Sequence, residues 1–336
     1  MKDRLFRAAA RAVLGSPLHR VIGRSRQGGA DRDLDPQIAA VLEGQRILRL
    51  PALESMAPPR ARAFAETGMS PFDVAPAAMA ELIDTTVAGP AGAIPVRMYV
   101  PRGAAPHWLV YFHGGGGVIG SIRSSDAVAR LLAAETRCVV ASVEYRLGPE
   151  HKNPAAIEDA CAAWDALAAR VGAGGRIAVG GDSFGGFLSA HVDHHTVTTG
   201  ARRPDLQVLI YPATDLTHSL PSIERNADGY LLTKSMIHWF RSNYLRDTDD
   251  RRAVSPLFWP DLRGSAPALI ATAGYDPLVD EGEHYAQRLR DAGTQVVLRH
   301  YPSLIHGFLS LGGGVVAARA AIDELCADIR GLLGVE

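Results

Sequence analysis

Gly181-Asp182-Ser183-Phe184-Gly185 follows directly on the apolar run Arg-Ile-Ala-Val-Gly at 176–180 and leads into a stretch, 184–199, of helical character. Strand, sharp turn, helix is the setting in which a G-x-S-x-G pentapeptide forms a nucleophile elbow. The turn forces the serine into strained backbone angles, and side chains at the flanking glycines would collide with the strand and the helix. A serine held there offers its hydroxyl at a helix N-terminus, where the dipole favours developing negative charge. Glycine and serine are common, so the pentapeptide takes its weight from the rest of the chain.

Outward from the elbow, short apolar and β-branched runs recur at 82–87, 95–99, 108–113, 138–143, 176–180, 206–211, 268–272 and 295–301. Helical patterns lie between the later ones, at 125–135, 154–170, 184–199 and 280–292, and a last one follows at 315–333. This alternation predicts an α/β protein with a mostly parallel sheet covered on both faces. The first runs follow one another without helices, which predicts an antiparallel edge. Residues 1–80 read as helical segments broken at Gly28-Gly29, Leu50-Pro51 and Pro58-Pro59, with no strand pattern. The stretch 211–268 is too long for a βα connection and carries helix-like pieces such as 233–244. The expected organisation is one catalytic domain. It comprises an N-terminal helical cap segment (1–80), a first core part (81–212), a cap excursion over the top of the sheet (213–262) and a second core part (263–336).

Composition narrows the function classes. The 336 residues are 47% hydrophobic and 21% charged, and 35 basic against 36 acidic residues leave a net charge of −1. That balance gives no footprint for nucleic acid or for a strongly charged partner. Cys138, Cys161 and Cys326 are widely spaced and odd in number, which reads as buried free thiols in a reducing, cytoplasmic setting. The uncharged stretches 103–122 and 300–318 contain proline, histidine and several glycines, so neither reads as a membrane span. Arg4, Arg7 and Arg11 recur at helical spacing against Leu5, Ala9, Ala12 and Val13. The favoured reading is an amphipathic helix packed on the fold. A basic surface-seeking helix, with peripheral membrane association through residues 1–30, or a transit sequence is the lesser alternative.

An ester-cleaving serine needs a base, a group that orients the base, and donors for the oxyanion. In an open parallel sheet each belongs in a loop after the C-terminal end of a strand. Asp276, in Gly274-Tyr275-Asp276-Pro277-Leu278, meets that condition for the acid, with a helix N-cap as its structural alternative. Asp280, Glu281 and Glu283 fall into the next helix and read as its solvated first turn. His306, between the last strand and the last helix, is the candidate base; His300 lies within the strand itself. The order Ser183, Asp276, His306 suits this arrangement. For the oxyanion, His113-Gly114-Gly115-Gly116 closes the strand at 108–113 with unshielded backbone N–H groups, and Phe184 adds a further N–H. A phosphate-cradling loop would want Lys-Ser or Lys-Thr after the glycines, where Val118-Ile119 stands. His191, Asp193, His194 and His195 lack an H-E-x-x-H pattern and read as a polar helix end rather than a metal site.

With these residues assembled, the chain from about Leu34 onward resembles the hormone-sensitive-lipase-like (bacterial family IV) esterases of the α/β-hydrolase fold. The resemblance rests on HGGG at 113–116, EYRLGPEH at 144–151, GDSFGG at 181–186, DPLVDEG at 276–282 and IHGF at 305–308. It implies an eight-stranded sheet with a helical cap over the acyl pocket, a triad of Ser183, Asp276 and His306, and an oxyanion hole from the N–H groups of Gly115, Gly116 and Phe184. His113, Gly114 and the 144–150 region are implied as support for that loop. No cofactor is implied, and homodimers are frequent in the family. Three positions depart from its pattern: Phe184 where a small residue is usual, Gly117 where a bulky one is usual, and Asn153 in place of a frequent Phe. The expected activity is hydrolysis of small, short- to medium-chain carboxylic esters through an acyl-enzyme. A deacetylase or amidase of a sugar or secondary metabolite would use the same machinery, and a small-molecule receptor on this scaffold is the non-enzyme alternative.

Overall fold

The structure, a computed structural model, describes residues 11–26, 33–68 and 72–335. The basic pattern at Arg4 and Arg7 and the break at Gly28-Gly29 lie outside the described residues. In chain order the longer elements are helices α1 (Pro36–Ile47) and α2 (Pro58–Gly68), strands β1 (Glu81–Gly89), β2 (Gly92–Val100) and β3 (Trp108–Phe112), α3 (Asp126–Thr136), β4 (Val139–Val143), α4 (Ala155–Ala168), β5 (Ile177–Asp182), α5 (Phe184–Thr199), β6 (Leu206–Ile210), α6 (Lys234–Tyr244), β7 (Ala268–Tyr275), α7 (Val279–Asp291), β8 (Val296–Ile305) and α8 (Val316–Leu333).

The eight strands form one sheet in the order β1-β2-β4-β3-β5-β6-β7-β8. The β1–β2 and β2–β4 pairs are antiparallel and the remaining pairs parallel, as the run of helix-free strands at the start predicts. Every residue of β4 and β6 is buried, which is why both read, Ser142 and Gln207 apart, as apolar runs rather than as alternations. Along β3 the pleat divides the core. Leu109 and Tyr111 face the layer that contains Ile322 and Leu325 of α8; Val110 and Phe112 face the layer that contains Trp164 of α4 and Phe187 of α5. Each fully buried aliphatic or aromatic side chain in these layers stabilises the fold by about 1.5–3 kcal/mol.

Between β6 and β7 the chain carries α6, three short helical turns and no strand. Several polar contacts tie this excursion and the N-terminal helices to the sheet's C-terminal rim. Thr233 caps α6 by accepting the Met236 N–H, and Ser235 donates to Glu54. Lys152 donates to the carbonyls of Ser242 and Leu245, satisfying orphan groups at the α6 C-terminus. From α2, Arg62 donates to the carbonyls of Val118 and Gly148 and pairs with Glu150. No helix among the described residues is long and apolar enough to cross a membrane.

Candidate active site

Four residues singled out in the sequence are each the first residue past the C-terminal end of a strand: His113 after β3, Ser183 after β5, Asp276 after β7 and His306 after β8. Parallel pairing of β3 with β5, in the register Phe112 opposite Gly181, places the glycine loop beside the elbow.

The elbow is strained as the pentapeptide requires. Ser183 has φ 54° and ψ −114°, a positive φ that costs a non-glycine residue roughly 1–3 kcal/mol. Its N–H donates to the Ile210 carbonyl at 2.8 Å, and its carbonyl accepts from Ala213 and Phe187. Close approach explains the second glycine: a Cβ at Gly185 would lie 1.8 Å from the Phe112 carbonyl oxygen. β3 and α5 can pack this tightly only without that atom.

The side chains at 183, 306 and 276 form one hydrogen-bonded line. His306 Nδ1 lies 2.8 Å from Asp276 Oδ2, and His306 Nε2 lies 3.0 Å from Ser183 Oγ. With the carboxylate accepting at Nδ1, that nitrogen carries the proton and Nε2 accepts from the serine hydroxyl. Asp276 is fully buried, so its orientation is set by protein groups. Its Oδ1 accepts the Leu278 N–H at 2.8 Å, and its carbonyl accepts from Asn226 Nδ2. The helix N-cap offered as the alternative for Asp276 is not its role: Leu278 is the N-cap of α7, and the Asp276 oxygen that does not face His306 closes the turn before it.

The glycine loop turns through left-handed φ values of 115°, 60° and 71° at Gly115, Gly116 and Gly117. The Gly114 N–H is already engaged by Asp182 Oδ1, which also accepts from the Tyr111 hydroxyl. Among the described residues the N–H groups of Gly115 and Gly116 donate to nothing, and Phe184, first residue of α5, has no intrahelical acceptor. These three donors are available to a ligand beside Ser183. His113 is buried beneath the loop, 2.8 Å by Nδ1 from the Gly114 carbonyl and stacked on Tyr145, whose hydroxyl donates to the His113 carbonyl. Burial pushes the His113 imidazole down to about 4, so it is neutral at pH 7. From the 144–150 segment, Glu144 accepts the Ile122 N–H and the Gly148 N–H donates to the Gly117 carbonyl.

Two of the departures prove to be linked. The Phe184 ring occupies the space a side chain at 117 would need: a Cβ there would sit 2.7 Å from Phe184 Cζ and 2.8 Å from the Tyr244 ring. Phe184 packs edge-on to Tyr244 and stacks on Phe187. The bulk has moved from 117 to 184. Asn153 is buried and its Oδ1 accepts from the Tyr244 hydroxyl at 3.2 Å, a hydrogen bond that a phenylalanine at 153 could not make.

Two readings of charged residues are overturned. Glu281 is not part of a solvated first turn: it is 1% exposed, and its Oε1 accepts the N–H groups of Thr214 and Asp215. Helical spacing turns it inward, against the loop after β6, where those buried N–H groups need an acceptor. Burial raises its carboxyl well above the usual range. The 191–195 segment is not a uniformly polar end either. Asp193 is buried and accepts the Ala266 N–H, while His191 packs among Phe187 and Trp259 and contacts the Val254 carbonyl. Among the described residues no group of three His, Cys, Asp or Glu side chains is placed to hold a metal ion. Asp182, half-buried inside the pentapeptide, went unremarked in the sequence, although its place between Gly181 and the serine was the available signal.

Ser183, His306 and the glycine loop open on a cavity of about 250 Å³, walled by Phe184, Leu216, Ile237, Phe240 and Tyr244. A family model described as the alpha/beta hydrolase fold matches residues 109–310, more than half the chain. The chain is 42% identical over 335 residues to the carboxylic ester hydrolase LipN of Mycobacterium tuberculosis, covering 94% of this chain and 88% of LipN. It is 39% identical over 264 residues to the esterase LipI of the same organism, covering 75% of this chain and 82% of LipI. Among solved structures, the ester hydrolase EH1AB1 from the Lake Arreo metagenome, complexed with a bipyridine phosphonate derivative, matches with a TM-score of 0.85. The two are 38% identical, and the match covers 90% of this chain and all of that one. Sheet order, the elbow and these similarities agree, and the chain belongs to the α/β-hydrolase family, in its hormone-sensitive-lipase-like branch.

Proposed function

We propose that Ser183, His306 and Asp276 are the catalytic triad of a carboxylic ester hydrolase, with Gly115, Gly116 and Phe184 supplying the oxyanion hole. The observation that carries this reading is the continuous Ser183–His306–Asp276 line, at 3.0 and 2.8 Å, beside three backbone N–H groups that have no acceptor among the described residues. Ser183 attacks the ester carbonyl while His306 Nε2 takes its proton. Asp276 holds the ring and stabilises the imidazolium that forms. The negative charge on the carbonyl oxygen is met by the N–H groups and by the N-terminal end of α5. His306 returns the proton to the departing alcohol, and water hydrolyses the acyl-enzyme by the same steps in reverse.

The limited, mostly apolar cavity supports small, short- to medium-chain esters as substrates. Helix α6, with the N-terminal helices that contact it, is read as the cap whose contour sets the acyl-length limit. Mixing the protein with an excess of a p-nitrophenyl ester gives a burst of nitrophenol followed by steady turnover. Ser183→Ala abolishes both phases, and a variant that kept its burst would reject this mechanism.

A further inference from the structure

The cavity wall contributed by α6 contains a residue that apolar packing does not explain. Ile237, Phe240, Arg241 and Tyr244, spaced i, i+3, i+4 and i+7, form the helix face that lines the cavity with Ser183 and His306. Three are apolar or aromatic, as a buried helix face requires; the fourth is an arginine. Among the described residues Arg241 has no carboxylate within ion-pairing distance. Its Nη1 donates to Nδ1 of His218, 3.1 Å away and another cavity residue. His218 supplies no counter-charge, since an imidazole is either neutral or cationic; burial, with Arg241 next, pushes it down to about 3 and so keeps it neutral. Asp215, another cavity residue, lies beyond ion-pairing distance of Arg241, its oxygens turned to the Thr217 N–H and to the N–H and hydroxyl of Ser219. Desolvation, with the like charge of Arg251 next, lowers the Arg241 guanidinium from its usual value. Arg241 is half-buried, so its guanidinium gives up part of its hydration to a largely apolar pocket without gaining a counter-ion, and an anion reaching it there would offset that loss. The guanidinium fork also matches a carboxylate in shape and hydrogen-bonding pattern.

We propose that Arg241 is a specificity-determining residue that binds a carboxylate carried by the substrate, so that the preferred esters are anionic half-esters or acylated hydroxy acids. This rests on the ester-hydrolase reading, and deepens it. The carboxylate reaches Arg241 from the acyl side in the first class and from the alcohol side in the second.

The test compares wild type with Arg241→Met, which keeps the apolar stem, and Arg241→Lys, which keeps the charge. One arm uses monoethyl succinate, glutarate and adipate against their neutral diethyl esters. The other uses acetoxyacetate and 4-acetoxybutyrate against their methyl esters. Arg241→Met lowers the ratio of kcat/KM for the anionic over the neutral ester by about tenfold or more in one arm, which identifies the side, and Arg241→Lys recovers part of it. A ratio within twofold of wild type in both arms overturns the proposal. Binding of free glutarate to the wild-type protein, followed by calorimetry, gives a readout that needs neither a folded variant nor turnover. Saturable binding competed by a half-ester supports the site, and glutarate that binds no better than its neutral diamide, glutaramide, overturns it. A wild-type protein that binds glutarate but turns over none of the esters, neutral or anionic, would instead count against the hydrolase reading alone.

Discussion

Replacing Gly117 by alanine tests whether Phe184 has taken over the volume that a residue at 117 would fill. The backbone at 117 has φ 71°, and a left-handed conformation costs a residue with a Cβ roughly 1–2 kcal/mol. The new methyl carbon would lie 2.7 Å from Phe184 Cζ and 2.8 Å from Tyr244 Cδ2, and overpacking of this kind costs about 1–3 kcal/mol. Gly117→Ala therefore destabilises the protein by about 2–5 kcal/mol. Phe184→Ala, at a residue 2% exposed, costs about 3–5 kcal/mol through lost burial and the cavity left behind. In the double variant the Phe184 part of the clash disappears and the methyl fills some of the cavity, while the backbone strain remains. The double variant should then be about 1–2 kcal/mol more stable than the sum of the single changes implies. Urea unfolding of all four proteins, followed by tryptophan fluorescence, supplies the cycle. Costs that add within about 0.5 kcal/mol would refute the volume exchange, because residues in such contact ought to couple.

Two further outcomes are expected. Asp276→Asn keeps the shape but presents an amide where a carboxylate now accepts the His306 Nδ1 proton, favouring the wrong tautomer; kcat should fall by about 10⁴, and a fall of less than tenfold would remove Asp276 from the proposed relay. For His113 the folded imidazole is pushed down to about 4 from 6.5, so the unfolded chain binds the proton first as pH drops. Its stabilising contribution is complete above about pH 6.5 and shrinks as pH falls toward 4. Between pH 7.5 and 4.5 wild type should lose about 2–3 kcal/mol that His113→Asn does not, so the stability gap between them narrows. Parallel urea-midpoint curves against pH would contradict that.

Much of the fold was legible because its elements announce themselves locally. All eight strands fall where apolar, β-branched runs stand, and the five core helices between and after them start and stop within two residues or so of their patterned stretches. Parallel pairing followed from burial on both faces, and the antiparallel edge from the lack of helices between the first strands. The places of Ser183, Asp276 and His306 were legible for a related reason: strand ends are visible in the sequence, and each of these residues directly follows one.

What stayed hidden depends on contacts between segments far apart in the chain. Helical periodicity near the start of α7 could not say that Glu281 points inward, because its partners, the N–H groups of Thr214 and Asp215, lie more than sixty residues away. Position in the chain could not show that the Phe184 ring fills the space above Gly117, since that requires the packed distance between elbow and loop. The same holds for Arg241. As a letter in the helix 234–244 it is one more surface-like cation, and only the seating of α6 over the strand ends turns it into the cavity. Local sequence carries backbone preference and hydrophobic period, which suffice for the elements and their order; side-chain burial and pairing are properties of the packed whole.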